Sequence, residues 1–138
     1  MCKTNYNEMV FLGGTCGNST WRAELIPMLS ENVKYFNPQL APGAWTPEDS
    51  IREDEYKKVA RYNLFGITGD APSAYSFFEI AEMLAVHPER VIFAPLGTLP
   101  QISKDSIEVI KEKVLGKGGW FFDNLEELAE FLNNEYAL

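Results

Sequence analysis

The sequence predicts an α/β protein in which five parallel strands form one sheet with helices on both faces. Short apolar segments alternate with longer amphipathic or charged segments, and several of them end at glycine or proline. A sheet covered on both faces has strands that are apolar throughout, and parallel strands need helical crossovers between them. At 138 residues the chain has the size of one domain, so we expect a single domain over residues 1–138.

The first strand and helix are predicted around a glycine loop. The apolar run 10–12 stops at Gly13 and Gly14, as a buried strand does where the chain turns over the sheet. The loop 15–20 follows. Apolar residues then recur at the spacing of an amphipathic helix, namely Trp21, Leu25, Met28 and Leu29.

The second strand, 33–36, ends at Asn37-Pro38, because proline lacks the N–H that ladder pairing needs. After the loop 39–45, Thr46 is placed as an N-cap, with Pro47 at the first helical position and carboxylates in the first turn. This second helix should run to about Arg61. Its density of charge predicts that it faces mostly solvent.

The second half of the chain repeats the alternation. Strands are predicted at 62–68, 91–96 and 120–122, separated by helices. The helix after the third strand has a predicted buried stripe of Ala74, Phe77, Phe78, Ala81, Leu84 and Ala85. Capping boxes are predicted for the last two helices, from Asp105 with Glu108 and from Asn124 with Glu127.

Composition restricts the classes of partner. Apolar residues make up 46% of the chain, which is ample for a packed core, while the net charge of -8 and pI near 4.6 lack the basic footprint of a protein that binds a nucleic-acid polymer. No apolar run is long enough to span a bilayer, and the start resembles no signal peptide. Two cysteines without CxxC spacing and one histidine do not predict a metal site. We therefore expect a cytoplasmic protein without metal or other cofactor.

In open parallel sheets, ligands bind beyond the carboxyl ends of the strands. The residues to consider therefore lie in 13–19, 37–45 and 68–79. In the first of these, Gly13, Gly14 and Thr15 could bring backbone N–H groups and a hydroxyl to a polar ligand. The loop matches neither a dinucleotide-binding nor a Walker pattern. A tight turn with Ser19 or Thr20 as helix cap is an equal alternative.

Two carboxylates are candidates for chemistry. Glu79 occurs in an otherwise apolar segment and, if partly desolvated, could act as nucleophile or general base. The alternative is a capping box formed by Ser76 and Glu79. Asp70 is either a turn residue or a second carboxylate over the pocket. Trp45 could stack on a flat ring or belong to the core.

Three segments, in order and spacing, resemble the nucleoside 2-deoxyribosyltransferase family and its short nucleoside 2-deoxyribosyltransferase-like branch. The first is the strand and glycine loop 10–15 with Trp21, the second is 35–38 followed by Trp45, and the third runs from 65–68 into 76–81. The last resembles the family's Glu-Ile/Leu-Gly/Ala step, which carries the nucleophile. The likeness covers roughly residues 9 to 95.

The resemblance implies a flavodoxin-like, Rossmann-like fold and chemistry at the N-glycosidic bond of a nucleoside or nucleotide. Family members attack C1′ with a glutamate and pass the sugar to another base, whereas relatives pass it to water. Glu79 is then the nucleophile and Asp70 the candidate for protonating or orienting the base. Gly13, Gly14 and Asn37 would line the pocket, with Trp45 against the base.

The resemblance also implies a homo-oligomer, because family members often complete the pocket with a neighbouring subunit. The pocket loops contain little positive charge beyond Arg22, which favours an unphosphorylated nucleoside. The sequence departs from the family pattern at 60–63, which has no aspartate, and at 75–78, which lacks the usual glycine. These departures favour the alternative of a catalytically silent nucleotide-binding module. An NAD-cleaving glycohydrolase is a third possibility.

Overall fold

The fold was analysed in a computed structural model, which describes residues 8–16, 19–38 and 46–138. One sheet of five parallel strands has the order β2-β1-β3-β4-β5. The strands are β1 (Met9–Gly14), β2 (Lys34–Phe36), β3 (Tyr62–Ile67), β4 (Val91–Pro95) and β5 (Trp120–Phe121). The helices are α1 (Trp21–Leu25), α2 (Pro47–Val59), α3 (Ala74–Val86), α4 (Lys104–Gly116) and α5 (Leu125–Glu135), with 3₁₀ turns at Ile26–Met28 and Pro88–Arg90.

This order confirms the predicted flavodoxin-like α/β fold. The chain moves outward from β1 to β2 and then returns to place β3 on the other side of β1. The crossovers therefore diverge between β1 and β3, which is where a doubly wound sheet forms its ligand crevice.

Each face of the sheet has its own core. Alternate residues of β1, β3 and β4 pack against α1 and α5, with Leu12, Leu64 and Ile92 fully buried. The other set, including Phe65 and Phe93, packs against α3 and α4. Because both faces are covered, every position of β3 and β4 is buried, including the polar Asn63, whose Nδ2 donates to the Lys57 carbonyl.

Glycines allow the β1–β3 junction to form. Gly14 has φ +104°, and a Cβ there would lie 2.1 Å from the carbonyl oxygen of Gly66. A Cβ on Gly66 would in turn lie 2.7 Å from the indole of Trp21, which packs over it. The backbones of β1 and β3 can approach this closely only without side chains.

Two predicted helix starts are confirmed. Thr46 and Asp49 form a reciprocal capping box at the start of α2, and the Asn124 side chain accepts a hydrogen bond from the Glu127 N–H at the start of α5. For α4 the prediction was wrong. Its N-cap is Ser103, whose hydroxyl accepts from the Ser106 N–H, so Asp105 lies inside the first turn.

The predicted buried stripe of α3 was also wrong. The buried residues of α3 are Ser76 and Ile80, with Phe77 and Leu84 partly buried, whereas Ala74, Phe78, Ala81 and Ala85 are exposed. The helix has apolar residues on more than one side, so spacing alone did not identify the face that packs on the sheet.

The predicted stripe of α1 holds only for Trp21 and Leu25, which are buried, while Leu29 packs at the edge of the core. Met28 is 40% exposed because the α-helix gives way to a 3₁₀ turn at Ile26, which changes the direction of the side chains. Within the described ranges, every helix is too short or too polar to cross a lipid bilayer.

Candidate active site

The loop after β1 is tied to β3 and α3 through Thr15. The Thr15 N–H donates to the Gly66 carbonyl over 2.8 Å, and the Thr15 Oγ1 accepts from the Thr68 N–H over 3.0 Å. The same Oγ1 lies 2.7 Å from the Ser73 hydroxyl. Thr15 is only 2% exposed. Its hydroxyl therefore holds together the three segments that meet at the crevice.

Ser73 begins α3 in a strained conformation. Its φ of 63° and ψ of 16° place a non-glycine residue in the left-handed region, and its side chain makes no cap to the helix. The hydroxyl instead donates to the Ala71 carbonyl and contacts Thr15. Backbone strain of this kind persists only where surrounding contacts enforce it, and it clusters at functional sites.

Arg22 supports the same loop from the opposite side. Its guanidinium is fully buried and donates to the carbonyls of Leu12 and Thr15, each over 2.7 Å. Burial lowers the pKa of Arg22, although arginine stays charged in proteins. The cation that the sequence places among the pocket loops is thus bonded to backbone and is not exposed to a ligand. Of the two residues predicted as helix caps, Thr20 holds the N-cap position of α1 without a side-chain cap bond, and the Ser19 hydroxyl donates to the Thr15 carbonyl.

Glu79 forms a shielded ion pair with Lys57. The Lys57 Nζ lies 2.5 Å from the Glu79 Oε2, and the two side chains are only 14% and 15% exposed. The ammonium also lies 5.3 Å from the ring centroid of Phe11. Ser76 lies within α3 rather than at its N-cap. The capping-box alternative for Ser76 and Glu79 is therefore wrong, and the Glu79 carboxylate faces α2.

A second acidic residue joins this pair from α2. Burial raises the pKa of the Glu53 carboxyl above its ordinary value, with further increases from Asp49 and Glu79 and an opposing effect of Lys57. Glu53 precedes Lys57 by four residues, so the two side chains lie on one face of α2. We call Glu53, Lys57 and Glu79 the α2–α3 charge cluster. Sequence reasoning missed its two α2 members.

A cavity of about 520 Å³ borders this cluster between α2 and α3. We call it the Glu79 groove. Its walls combine the cluster's Lys57 and Glu79 with the aromatic rings of Phe65 and Tyr75. A volume of several hundred Å³ is the usual size of a small-molecule site. Half of the described lining residues of this groove are charged, including Asp54, Lys58 and Glu82.

Asp70 lines a different cavity, of about 590 Å³, which we call the Asp70 cavity. This cavity lies at the carboxyl ends of β3 and β4, beside Trp21 of α1. Asp70 is exposed, and its Oδ2 accepts from the Thr68 hydroxyl over 2.7 Å. Among the described residues, the structure thus places Asp70 and Glu79 in separate cavities.

The other predicted site residues lie near the crevice. Gly13 and Gly14 end β1, and Asn37, half-buried, directly follows β2. Trp45 falls outside the described residues. Over 8–16, 19–38 and 46–138 no group of three or more His, Cys, Asp or Glu side chains is arranged to hold a metal ion.

Comparison with known proteins identifies the family. A family model described as "Nucleoside 2-deoxyribosyltransferase like" matches residues 7–97, from the first strand to the end of the fourth. A search of curated proteins finds no match to the chain. The matched family indicates a nucleoside-modifying enzyme of the pentosyltransferase kind, with small-molecule nucleosides as substrates. The match spans about two thirds of the sequence and includes Glu79 together with the glycine loop, so the chain belongs to the nucleoside 2-deoxyribosyltransferase-like family.

Proposed function

We propose that the protein cleaves the N-glycosidic bond of a nucleoside or deoxynucleoside through attack of Glu79 on C1′ and transfers the sugar to another base. The observation that carries this proposal is the position of Glu79. It is a carboxylate largely withdrawn from water, held by an ammonium, beside a cavity of suitable size for a nucleoside, in a chain of this family.

The chemistry uses Glu79 twice. Its carboxylate oxygen bonds to C1′ while the C1′–N bond breaks, and the electron pair leaves with the base, which takes up a proton. A nitrogen of the incoming base then bonds to C1′ and loses its proton to water, while the bond between C1′ and the Glu79 oxygen breaks and releases the carboxylate. The ion pair with Lys57 fixes the position of the Glu79 carboxylate beside the cavity. Water in place of the second base would give hydrolysis.

The substrate that we propose is an unphosphorylated nucleoside. Arg22 is bonded to backbone carbonyls and Lys57 is paired with Glu79, which leaves the exposed Lys58 as the remaining lysine among the groove's described lining residues. Gly13, Gly14 and Thr15 at the end of β1, Asn37, Trp45 and Ser76 are the proposed substrate-binding residues. A cytoplasmic location belongs to the same proposal.

Chromatography of purified protein with a panel of nucleosides and nucleotides tests this function. Each substrate is incubated with and without a competing free base. We expect a new nucleoside only when the acceptor base is present. Free base released without acceptor would instead support a hydrolase, and release of nicotinamide from NAD would support the glycohydrolase alternative.

Glu79→Gln should lower turnover by about 10³-fold or more while keeping substrate-induced increases in melting temperature, since the amide is a poor nucleophile of similar size. Glu112→Gln, at an exposed position of α4, controls for the loss of one charge. A protein that consumes no substrate, and whose ligand-induced melting shifts are unchanged by Glu79→Gln, would instead be the catalytically silent binding module.

We also propose that the chain forms a homo-oligomer through the outer face of α3. Tyr75, Phe78 and Val86 are 66%, 58% and 67% exposed, and the first two rings stack with centroids 6.3 Å apart. Sedimentation velocity should show an oligomer for the parent protein and a smaller species for Phe78→Glu. If the two proteins sediment alike, this face is not the interface.

A further inference from the structure

Lys57 is anchored through both its main chain and its side chain. Asn63, which is buried in β3, donates through its Nδ2 to the Lys57 carbonyl over 3.0 Å. The Lys57 Nζ lies 5.3 Å from the ring centroid of Phe11, which is buried in β1. These contacts tie α2 to the sheet at this residue and keep its ammonium beside the sheet instead of in open solvent.

The Lys57 ammonium engages one oxygen of the proposed nucleophile. Its Nζ lies 2.5 Å from the Glu79 Oε2, and both side chains are shielded from water and line the Glu79 groove. Among the residues that the structure describes, Lys57 is the only hydrogen-bond or ion-pair partner of the Glu79 carboxylate. Oε1 is therefore the oxygen left to bond to C1′, while Oε2 stays with Lys57.

A bond between Oε1 and C1′ would remove the charge that balances Lys57. The carboxylate becomes a neutral ester, and Oε2 becomes its carbonyl oxygen. Within the described part of the chain, Glu79 is the only carboxylate at ion-pair distance from Lys57. A shielded ammonium that has lost its anion is costly, because little water reaches it to replace the partner. Breaking the ester restores the ion pair.

We infer that Lys57 acts mainly in the second half of the reaction, as a positioning residue that promotes release of Glu79 from C1′, an inference that rests on the proposed function. In the first half, Oε1 bonds to C1′ and the electron pair of the C1′–N bond leaves with the base, which takes a proton from water. In the second half, a nitrogen of the acceptor base bonds to C1′ and loses its proton to water. The electron pair of the C1′–Oε1 bond then returns to Glu79, beside the ammonium.

Other roles for Lys57 predict different kinetics. If the ion pair only supports the fold, its loss lowers stability and leaves the balance between the two half-reactions unchanged. If Lys57 only orients Glu79 for attack, its loss slows the first half, so that less protein carries the sugar during turnover. The fraction of protein that carries the sugar therefore separates the three roles.

Intact-protein mass spectrometry of acid-quenched reactions measures this fraction. Each common nucleoside and deoxynucleoside is supplied in excess, with free adenine or cytosine as acceptor, to the parent, Lys57→Met, Lys57→Arg and Glu79→Gln. We expect Lys57→Met to lower the ratio of the second rate constant to the first by about tenfold or more, so that the sugar ester accumulates on Glu79. Lys57→Arg keeps the cation and should stay within about threefold of the parent ratio. Glu79→Gln should release no base and carry no sugar.

Lys113→Met, at an exposed position of α4, controls for the loss of one positive charge and should match the parent. Should Lys57→Met fold poorly by circular dichroism, Lys57→Gln keeps an N–H donor without the charge and should accumulate the same ester.

The outcomes separate the inference from the function on which it rests. If the parent releases no base from any of these substrates, the proposed function fails and the inference fails with it. If Glu79→Gln abolishes base release, but the folded Lys57 variants carry no more sugar than the parent, the inference is overturned and the proposed function stands.

Discussion

The Glu79 groove and the Asp70 cavity are similar in volume, but their carboxylates lie in different environments. In the groove, Glu79 is 15% exposed and paired with Lys57 over hydrophobic Phe11. In the Asp70 cavity, Asp70 and Glu24 are exposed and accept hydrogen bonds from the neutral hydroxyls of Thr68 and Thr20. Charge interactions are strong where water is excluded and are screened where it is not.

Position at the carboxyl edge of the sheet and withdrawal from water favour different carboxylates in this protein. The general rule favours the Asp70 cavity, which opens at the ends of β3 and β4. Desolvation and pairing favour the α2–α3 charge cluster, because a nucleophile needs an environment that fixes its charge and its orientation. Three predictions test these differences in packing, pairing and burial at the β1–β3 junction, the Asp70 cavity and the α2–α3 charge cluster.

The largest difference is expected for glycine substitutions. Gly14→Ala places a Cβ against the Gly66 backbone and strains a positive φ, so it should lower the free energy of unfolding by more than about 3 kcal/mol. Gly97→Ala, in the Asp70 cavity, strains a φ of +76° but meets open space, and about 1 kcal/mol is expected. Urea unfolding measures both. Equal losses would show that strain alone, and not the close β1–β3 approach, determines the cost.

A smaller difference is expected for the polar pairs. A double-mutant cycle with Lys57→Met and Glu79→Gln should give a coupling energy of about 1–2 kcal/mol. Both side chains are shielded from water, so removing either one leaves the other largely buried without its partner. The cycle for Thr68→Val and Asp70→Asn should give less than about 0.5 kcal/mol, since that hydrogen bond is exposed. Similar coupling energies in the two cycles would show that the Lys57–Glu79 pair is no stronger than the exposed Thr68–Asp70 hydrogen bond.

The smallest effect concerns Glu53 and depends on pH. Because burial raises the pKa of this carboxyl in the folded state, the fold favours its neutral form. Its contribution to stability is therefore complete below the unfolded pKa and is lost as pH rises through the folded pKa. Glu53→Gln should raise the melting temperature slightly at pH 7, with a gain that shrinks toward pH 4. The effect is small because the side chain is partly solvated.

Thermal melts of the parent, Glu53→Gln and Glu55→Gln across this range measure the effect. Glu55→Gln removes one negative charge from the exposed face of the same helix. A gain for Glu53→Gln that is largest at acid pH would contradict a Glu53 carboxyl whose pKa is raised in the folded protein.

The sequence predicted the strands and the fold because those signals are local. Each strand is a short, mostly apolar run, and four of the five end at, or within two residues before, a glycine or proline. The start of α2 at Thr46 is determined by side chains within one turn. Gly14 was predicted to line the site, but its contact with Gly66 joins two strands that are far apart in sequence. No local pattern reports how closely two strands approach.

The α2 members of the charge cluster were missed for a physical reason. The prediction that α2 is mostly solvent-facing is right for Arg52, Asp54, Glu55 and Lys58, which are exposed. Glu53, Tyr56 and Lys57 nevertheless face the sheet, at helical spacing. A search for apolar stripes overlooks this face, because Glu53 and Lys57 are charged. The burial of Lys57 depends on its ion pair with Glu79 of another helix.

Arg22 has a consequence for local motion. One side chain bonds to carbonyls on both sides of the β1 end, at Leu12 and Thr15, and packs on the Trp21 ring. Local opening of the chain at Leu12 and Thr15 would expose the buried Arg22 guanidinium and break its hydrogen bonds to both carbonyls. We therefore expect this segment to open only together with the rest of the fold. In native-state hydrogen exchange, the amides of Thr15 and Thr68 should exchange only with global unfolding. The end of β1 and the end of β3 would then behave as a single cooperative unit.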